Sequence, residues 1–238
     1  MDQQLINAAQ TGNLPEVKRL VAAGANPAAR NNRAIIVAAM DGHLNVVQYL
    51  VTLPGVNPAA ENNQAIIFAS SNGHLEVVRY LVTLPEVDAA AQNNQAIILA
   101  AMYGHLNVVQ YLVTLPKVDP TARDNKAIIR ASRNGQWNIV RFLASLQGFD
   151  PQGDDYDLWI WAISKNLIDI VRDLVEQHVV YPALNNNHAL IVAAQNESSE
   201  IVDFLMEQPG VNDNDGTALY VAEERGHKNI AEYLRNYY

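Results

Sequence analysis

The segment GHLNVVQYLVTLP stands at residues 42–54 and again, letter for letter, at 104–116. A near-copy, GHLEVVRYLVTLP, occupies 73–85. The glycines that open them, Gly42, Gly73 and Gly104, are followed at the same 31-residue step by Gly135. Continuing reaches Asn166, Glu197 and, after 29 residues, Gly226; stepping back 30 reaches Gly12. A period of this length marks a repeat array, in which one unit cannot bury its apolar face alone and stacking does it. The array fills a single domain, 1–238, with units at approximately 1–30, 31–61, 62–92, 93–123, 124–154, 155–185, 186–214 and 215–238.

Each unit reads as two helices. The first runs through a small, apolar stretch such as Ala65-Ile66-Ile67-Phe68-Ala69, and the second starts after the glycine. In the second, Leu44, Val47 and Val51 share one face, widened by Val46 and Leu50, while Asn45, Gln48 and Thr52 line the other. That is the pattern of a half-buried helix. Gly42 suits a left-handed helix C-terminus, and Pro54 marks a stop. The Pro-, Asn- and Ala-rich segment 55–64 reads as a loop or short hairpin.

These residues carry a resemblance. Asp215-Gly216-Thr217-Ala218-Leu219, with Ala222 and Gly226-His227 beyond, fits the ankyrin-repeat pattern D-G-x-T-P/A-L-x-x-A-x-x-x-G-H, and Ala23-Gly24-Ala25-Asn26 fits its repeat ending. The chain resembles the ankyrin-repeat family over nearly its full length. The resemblance implies an all-α solenoid of about eight helix-turn-helix repeats. The middle units depart from the family by carrying Arg/Gln/Lys-Ala-Ile-Ile where it has T-P-L-H, and by being two residues short. Short or irregular finger loops are therefore expected, with Asn63, Asn94 and Asn125 capping the first helices in place of threonine. The style of these short repeats is similar to that of ankyrin proteins of intracellular bacteria and amoeba-infecting giant viruses. Polar residues at both ends (Met1 to Gln4; Lys228, Glu232, Arg235, Asn236) read as caps, so a complete solenoid without an appended catalytic domain is expected.

Composition limits the chemistry. There is no cysteine, which removes disulfides and thiolate catalysis and fits a reducing compartment. A net charge of −9 opposes nucleic-acid binding as the main activity. No apolar run is long enough for a membrane span, and the N-terminus lacks the pattern of a signal peptide. His43, His74, His105 and His227 all occupy the Gly-His slot, which the resemblance makes structural. His178 and His188 lie at no metal-ligand spacing. The segment 211–216, VNDNDG, faintly suggests a calcium loop, but Val211 and Ala222 stand where its first and twelfth positions need carboxylates. The acidic cluster at Asp154, Asp155 and Asp157 reads as a solvated finger. No catalytic residue, cofactor or metal is expected, and the chain reads as a non-enzyme.

The resemblance places binding on the concave face, formed by finger tips and exposed first-helix positions. Three slots carry over, at one, two and five residues before the glycine position. Repeats two to four offer Val37, Met40, Asp41, Phe68, Asn72, Leu99, Met102 and Tyr103, largely an apolar and aromatic strip of a kind favoured as interface anchors. Val37, Phe68 and Leu99 read equally as partly buried between repeats. Beside the strip, Lys126, Arg130 and Arg133 form one helical stripe, with Arg123 on the preceding finger. Residues 117–141 hold six basic and two acidic side chains; the remainder holds ten and twenty-three. This island reads either as a sub-site for acidic side chains or a phosphate, or as a patch neutralised by Asp154, Asp155 and Asp157. Trp161 extends the surface as a further anchor, whereas Trp137 and Trp159 read as packing.

The function expected is recognition of another protein by a monomeric, cytoplasmic module, with no nucleic acid and no membrane. It fits an effector acting on a host protein, in host cytoplasm if translocated. The alternative is a structural or targeting portion of a larger effector or viral protein whose activity lies outside this chain.

Overall fold

The fold was analysed in a computed structural model, which describes residues 1–147, 155–177 and 179–237. Sixteen helices follow one another, with no strand among the described residues. The first helices of the eight repeats are α1 (Asp2–Gln10), α3 (Ala29–Met40), α5 (Ala60–Ser71), α7 (Ala91–Met102), α9 (Ala122–Arg133), α11 (Asp155–Ser164), α13 (Leu184–Gln195) and α15 (Thr217–Arg225). The second helices are α2 (Leu14–Ala22), α4 (Leu44–Val51), α6 (Leu75–Leu81), α8 (Leu106–Leu112), α10 (Trp137–Ser145), α12 (Ile168–Glu176), α14 (Ser199–Met206) and α16 (Lys228–Arg235). None of them is long and apolar enough to cross a membrane.

The chain divides into two compact units, Met1–Leu143 and Ala144–Tyr238. In the first, the first helices stack in series, α1 on α3, α3 on α5, α5 on α7 and α7 on α9, while the second helices touch their neighbours sparsely. In the second unit α11 packs on α13 and α13 on α15. First helices are therefore enclosed on several sides, and their sequences show it. In α3 every residue from Ala34 to Ala39 is buried. β-Branched isoleucines are mediocre helix formers, so packing, not propensity, holds these short helices. The alanines let neighbouring backbones approach, and the isoleucines fill the space between. Ile35, Ile66, Ile97 and Ile128 are wholly buried, each contributing about 1.5–3 kcal/mol. Second helices bury one face, as Val46, Val47 and Leu50 do in α4.

The segments between repeats differ from the expected loop or hairpin. Three successive residues, Arg30-Asn31-Asn32, adopt left-handed helical angles (φ 53°, 56° and 64°) and lead straight into the right-handed part of α3. The same triplet recurs at Glu61-Asn62-Asn63, Gln92-Asn93-Asn94, Arg123-Asp124-Asn125 and Asn185-Asn186-Asn187. A left-handed residue costs an L-amino acid roughly 1–2 kcal/mol, least for Asn and Asp, which fill most of these positions. The turn is so tight that it replaces a two-stranded finger, which accounts for the short period.

The third asparagine of the triplet does not cap its own helix, correcting the expectation for Asn63 and Asn94. Its side-chain oxygen reaches instead to the segment that leads into the next repeat. Asn32 accepts from Asn57 N at 2.7 Å, Asn63 from Asp88 N and Asn94 from Asp119 N, both at 2.8 Å. Each receiving residue then closes a turn of its own: Asn57 accepts from Ala59 N, Asp88 from Ala90 N and Asp119 from Thr121 N. No side-chain cap bond is made at the start of α9, and Asn125 is engaged elsewhere.

A second device joins repeats at the glycine slot. His43 Nε2 lies 2.8 Å from Gln10 O and His105 Nε2 lies 2.9 Å from Ser71 O, each carbonyl belonging to the repeat before. A neutral imidazole with its proton on Nε2 satisfies this geometry. The ring rests against the preceding glycine: a Cβ on Gly42 (φ +80°) would come within 2.5 Å of His74 Nδ1, and one on Gly73 as close to His105. At Gly104 the neighbour is Gln136. Where the glycine is replaced, Asn166 and Glu197 still hold positive φ, 55° and 57°. The last repeat follows the family pattern instead. There the buried Asp213 carboxylate accepts Ala218 N and Leu219 N at 2.8 and 2.9 Å, which occupies the acid expected in the faint calcium motif.

Candidate partner-binding surface

In the first unit, helices α5, α7 and α9 place the predicted strip and basic island side by side. Tyr103, which caps the C-terminus of α7, is 53% exposed. Met102 beside it, Leu99 one turn earlier and Phe68 on α5 are half-buried. Met40 and Asp41 at the end of α3 are half-buried too. Asn72 is exposed, but its Nδ2 donates to Met40 O at 2.7 Å and so ties α5 to α3. Val37 departs from expectation. It is 3% exposed, because its neighbours on α1 and α5 close over it, and it presents no surface.

The island lies on α9. Lys126 and Arg130 are half-buried and Arg133 is exposed. Among the described residues the charged ends of Lys126 and Arg130 have no ion-pair partner, whereas Arg133 and Arg141 are engaged. Arg123 sits in the left-handed triplet and donates to Gln95 Oε1 on α7 at 2.8 Å. The carboxylates named as neutralising the island depart from that expectation in two ways. Asp154 and the side chain of Asp155 lie outside the described residues. Asp157 lies in the first turn of α11 and not in a finger, and it is engaged.

In the second unit Trp161 is 8% exposed and Trp159 is fully buried. Trp161 therefore corrects the expectation of a surface anchor: α11 turns that slot inward, and its indole fills space between helices. His188 lies on α13, where Nδ1 stands 3.0 Å from the Tyr156 hydroxyl; His178 lies outside the described residues. Burial, with Tyr237 and Asp203 close by, pushes the Tyr233 hydroxyl on α16 up to about 12. Among the described residues no cluster of His, Asp and Glu is arranged to hold a metal ion. The surface depression beside Trp137 is lined by Gly104, Leu106, Gly135, Gln136, Asn138 and Ile139, none of them titratable in the range of acid–base chemistry.

The second helices use their cations differently from α9. Lys18 lies over the Tyr49 ring at 5.4 Å, and Arg79 over Tyr111 at 4.5 Å. In the second unit Arg172 lies over Phe204 at 5.0 Å. Each pair joins a cation of one repeat to an aromatic ring of the next, a contact of about 0.5–1 kcal/mol at exposed sites. Sequence reading missed these ladders, although the signal was present: a basic residue six places after one glycine slot and an aromatic seven places after the next.

Comparison with known proteins agrees with this architecture. The family model described as ankyrin repeats matches in three copies, over residues 5–93, 83–155 and 158–238. No curated protein matches the chain. Ankyrin repeats generally mediate protein–protein interaction. With helix pairs in series, a glycine slot at each turn and this match over most of its length, the chain belongs to the ankyrin-repeat family.

Proposed function

We propose that the chain is a protein-binding module, not an enzyme, and that it recognises its partner through the exposed positions of the first helices. Met40, Phe68, Leu99, Met102 and Tyr103 form the apolar part of that surface, with Asp41 beside Met40, and Arg123, Lys126, Arg130 and Arg133 form its cationic margin. The supporting observation is Tyr103: a large aromatic ring, 53% exposed, beside Met102 in slots that vary from repeat to repeat while their frame stays constant. An aromatic ring on few rotatable bonds loses little entropy on contact, and flexible Met adapts its shape to what it meets; both residue types are favoured at interfaces. A stacked scaffold holds them ready, so a few anchors suffice. The module works as a monomer inside the cell, a location favoured by the absence of cysteine, and the likeness of its short repeats to those of intracellular bacteria and giant viruses supports an effector acting on a host protein.

The test is a pair of alanines. Met102→Ala with Tyr103→Ala weakens binding of the partner more than ten-fold, roughly 1.4 kcal/mol or more, while the thermal midpoint stays put. An unchanged affinity removes the strip from the interface.

A further inference from the structure

We infer that the segment this surface recognises is an anionic peptide, carrying carboxylate or phosphoryl groups close to an apolar residue, and that Lys126 and Arg130 receive the anion while Met102 and Tyr103 receive the apolar side chain. This rests on the protein-binding reading and adds the chemistry of the partner.

Three observations carry it. The first is the contrast in how cations are used. On the second helices Lys18 and Arg79 are spent on aromatic rings of the next repeat, and Arg19 on Glu16 at 2.7 Å. On α9 the ends of Lys126 and Arg130 have no such partner among the described residues, although they stand one turn apart on one stripe. The second is the local acid count. The acid on α9 itself is Asp124, exposed in the left-handed triplet; Asp119 just before it is occupied by Thr121, accepting from its N and its Oγ1 at 2.8 and 2.7 Å. Residues 117–141 thus carry a local net charge of +4 within a −9 chain. The third is adjacency. α7 and α9 pack directly on each other, and Arg123 bonds to Gln95, one turn before Leu99. Stacked helices lie 8–10 Å apart, so the cationic and apolar seats fall within the reach of a few residues of one peptide. Like charges held together without internal partners repel, and an incoming anion relieves that repulsion while forming charge-assisted hydrogen bonds.

The experiment is selection of a random peptide library, displayed on phage, against the full chain. The expected peptides are enriched in Asp and Glu near a Leu, Phe, Met or Trp. A synthetic copy of a selected peptide then binds Lys126→Glu/Arg130→Glu more than ten-fold more weakly, and binds Lys126→Gln/Arg130→Gln at an intermediate level. Its affinity for wild type falls with added salt, and the reversed variant loses that dependence. Circular dichroism melts confirm that the variants fold. Replacing the acidic residue by phosphoserine decides between sources: tighter binding assigns a phosphoryl group, weaker binding a carboxylate. Peptides without acidic enrichment, peptides that bind the reversed variant normally, or an empty selection overturn the inference. Neutral peptides that are lost on Met102→Ala/Tyr103→Ala overturn it while leaving the protein-binding surface standing.

Discussion

A methyl group on Gly42 would come within 2.5 Å of His74 Nδ1, on a backbone already at φ +80°. Two separate demands thus meet on one residue: a left-handed conformation and room for the imidazole of the next repeat. Gly42→Ala is expected to cost about 1–2 kcal/mol for the conformation alone, and more for displacing the ring. Adding His74→Ala relieves the second part only, so the two substitutions are non-additive in urea unfolding, with the double variant less damaged than the sum. Strict additivity would show that the ring does not rest on the glycine. The conformational half of this was legible in the sequence, because glycine before a helix start is a local signal. The contact half was not, because it joins residues 32 apart whose meeting depends on how repeats stack.

At the scale of elements, helix positions were readable from periodicity, and the left-handed triplets were not. Their signal was nevertheless there, as paired Asn-Asn or Asp-Asn at one place in five repeats. It reads as capping, because a short polar side chain before a helix serves either purpose and only a partner brought up from 25 residues further on decides. That partner supplies an internal control. Asn63 Oδ1 holds Asp88 N, whereas the equivalent atom of Asn187 is buried with no hydrogen-bond partner among the described residues. Asn63→Ala loses both the clip and the asparagine preference for the left-handed region; Asn187→Ala loses the preference but also removes an unpartnered buried oxygen. The first is expected to be more destabilising by at least about 1 kcal/mol, the net worth of a hydrogen bond, each measured on the urea transition of its own unit. Equal losses would mean that the clip contributes nothing. The exposed slots divide in the same way. Tyr103 lies at a helix end and stays out, but Val37 and Trp161 sit mid-helix, where two neighbours cover what a single-helix view leaves open.

Across the whole molecule the two units differ in how well they satisfy their buried groups. In Ala144–Tyr238, Trp159 Nε1, Asn187 Oδ1 and Ser198 Oγ are buried without a hydrogen-bond partner among the described residues, Ser198 occupying a slot where histidine stands in repeats two to four. In Met1–Leu143 the corresponding atom is Ser70 Oγ. Each unsatisfied group costs about 1–3 kcal/mol, so the second unit should unfold first. Trp159 and Trp161 both lie in it, and repeat arrays lose cooperativity between segments of unequal stability. Tryptophan emission is therefore expected to change at lower urea than helicity; superimposable curves would contradict the order. The claim on which the functional account turns is narrower: the variable ends of the first helices meet the partner, and the constant second helices do not. Hydroxyl-radical footprinting of the complex tests it directly, because oxidisable residues lie on both sides. The account predicts protection of Met102 and Tyr103 with Tyr49, Tyr80 and Tyr111 unchanged, and protection of those three tyrosines with Met102 and Tyr103 still reactive would contradict it.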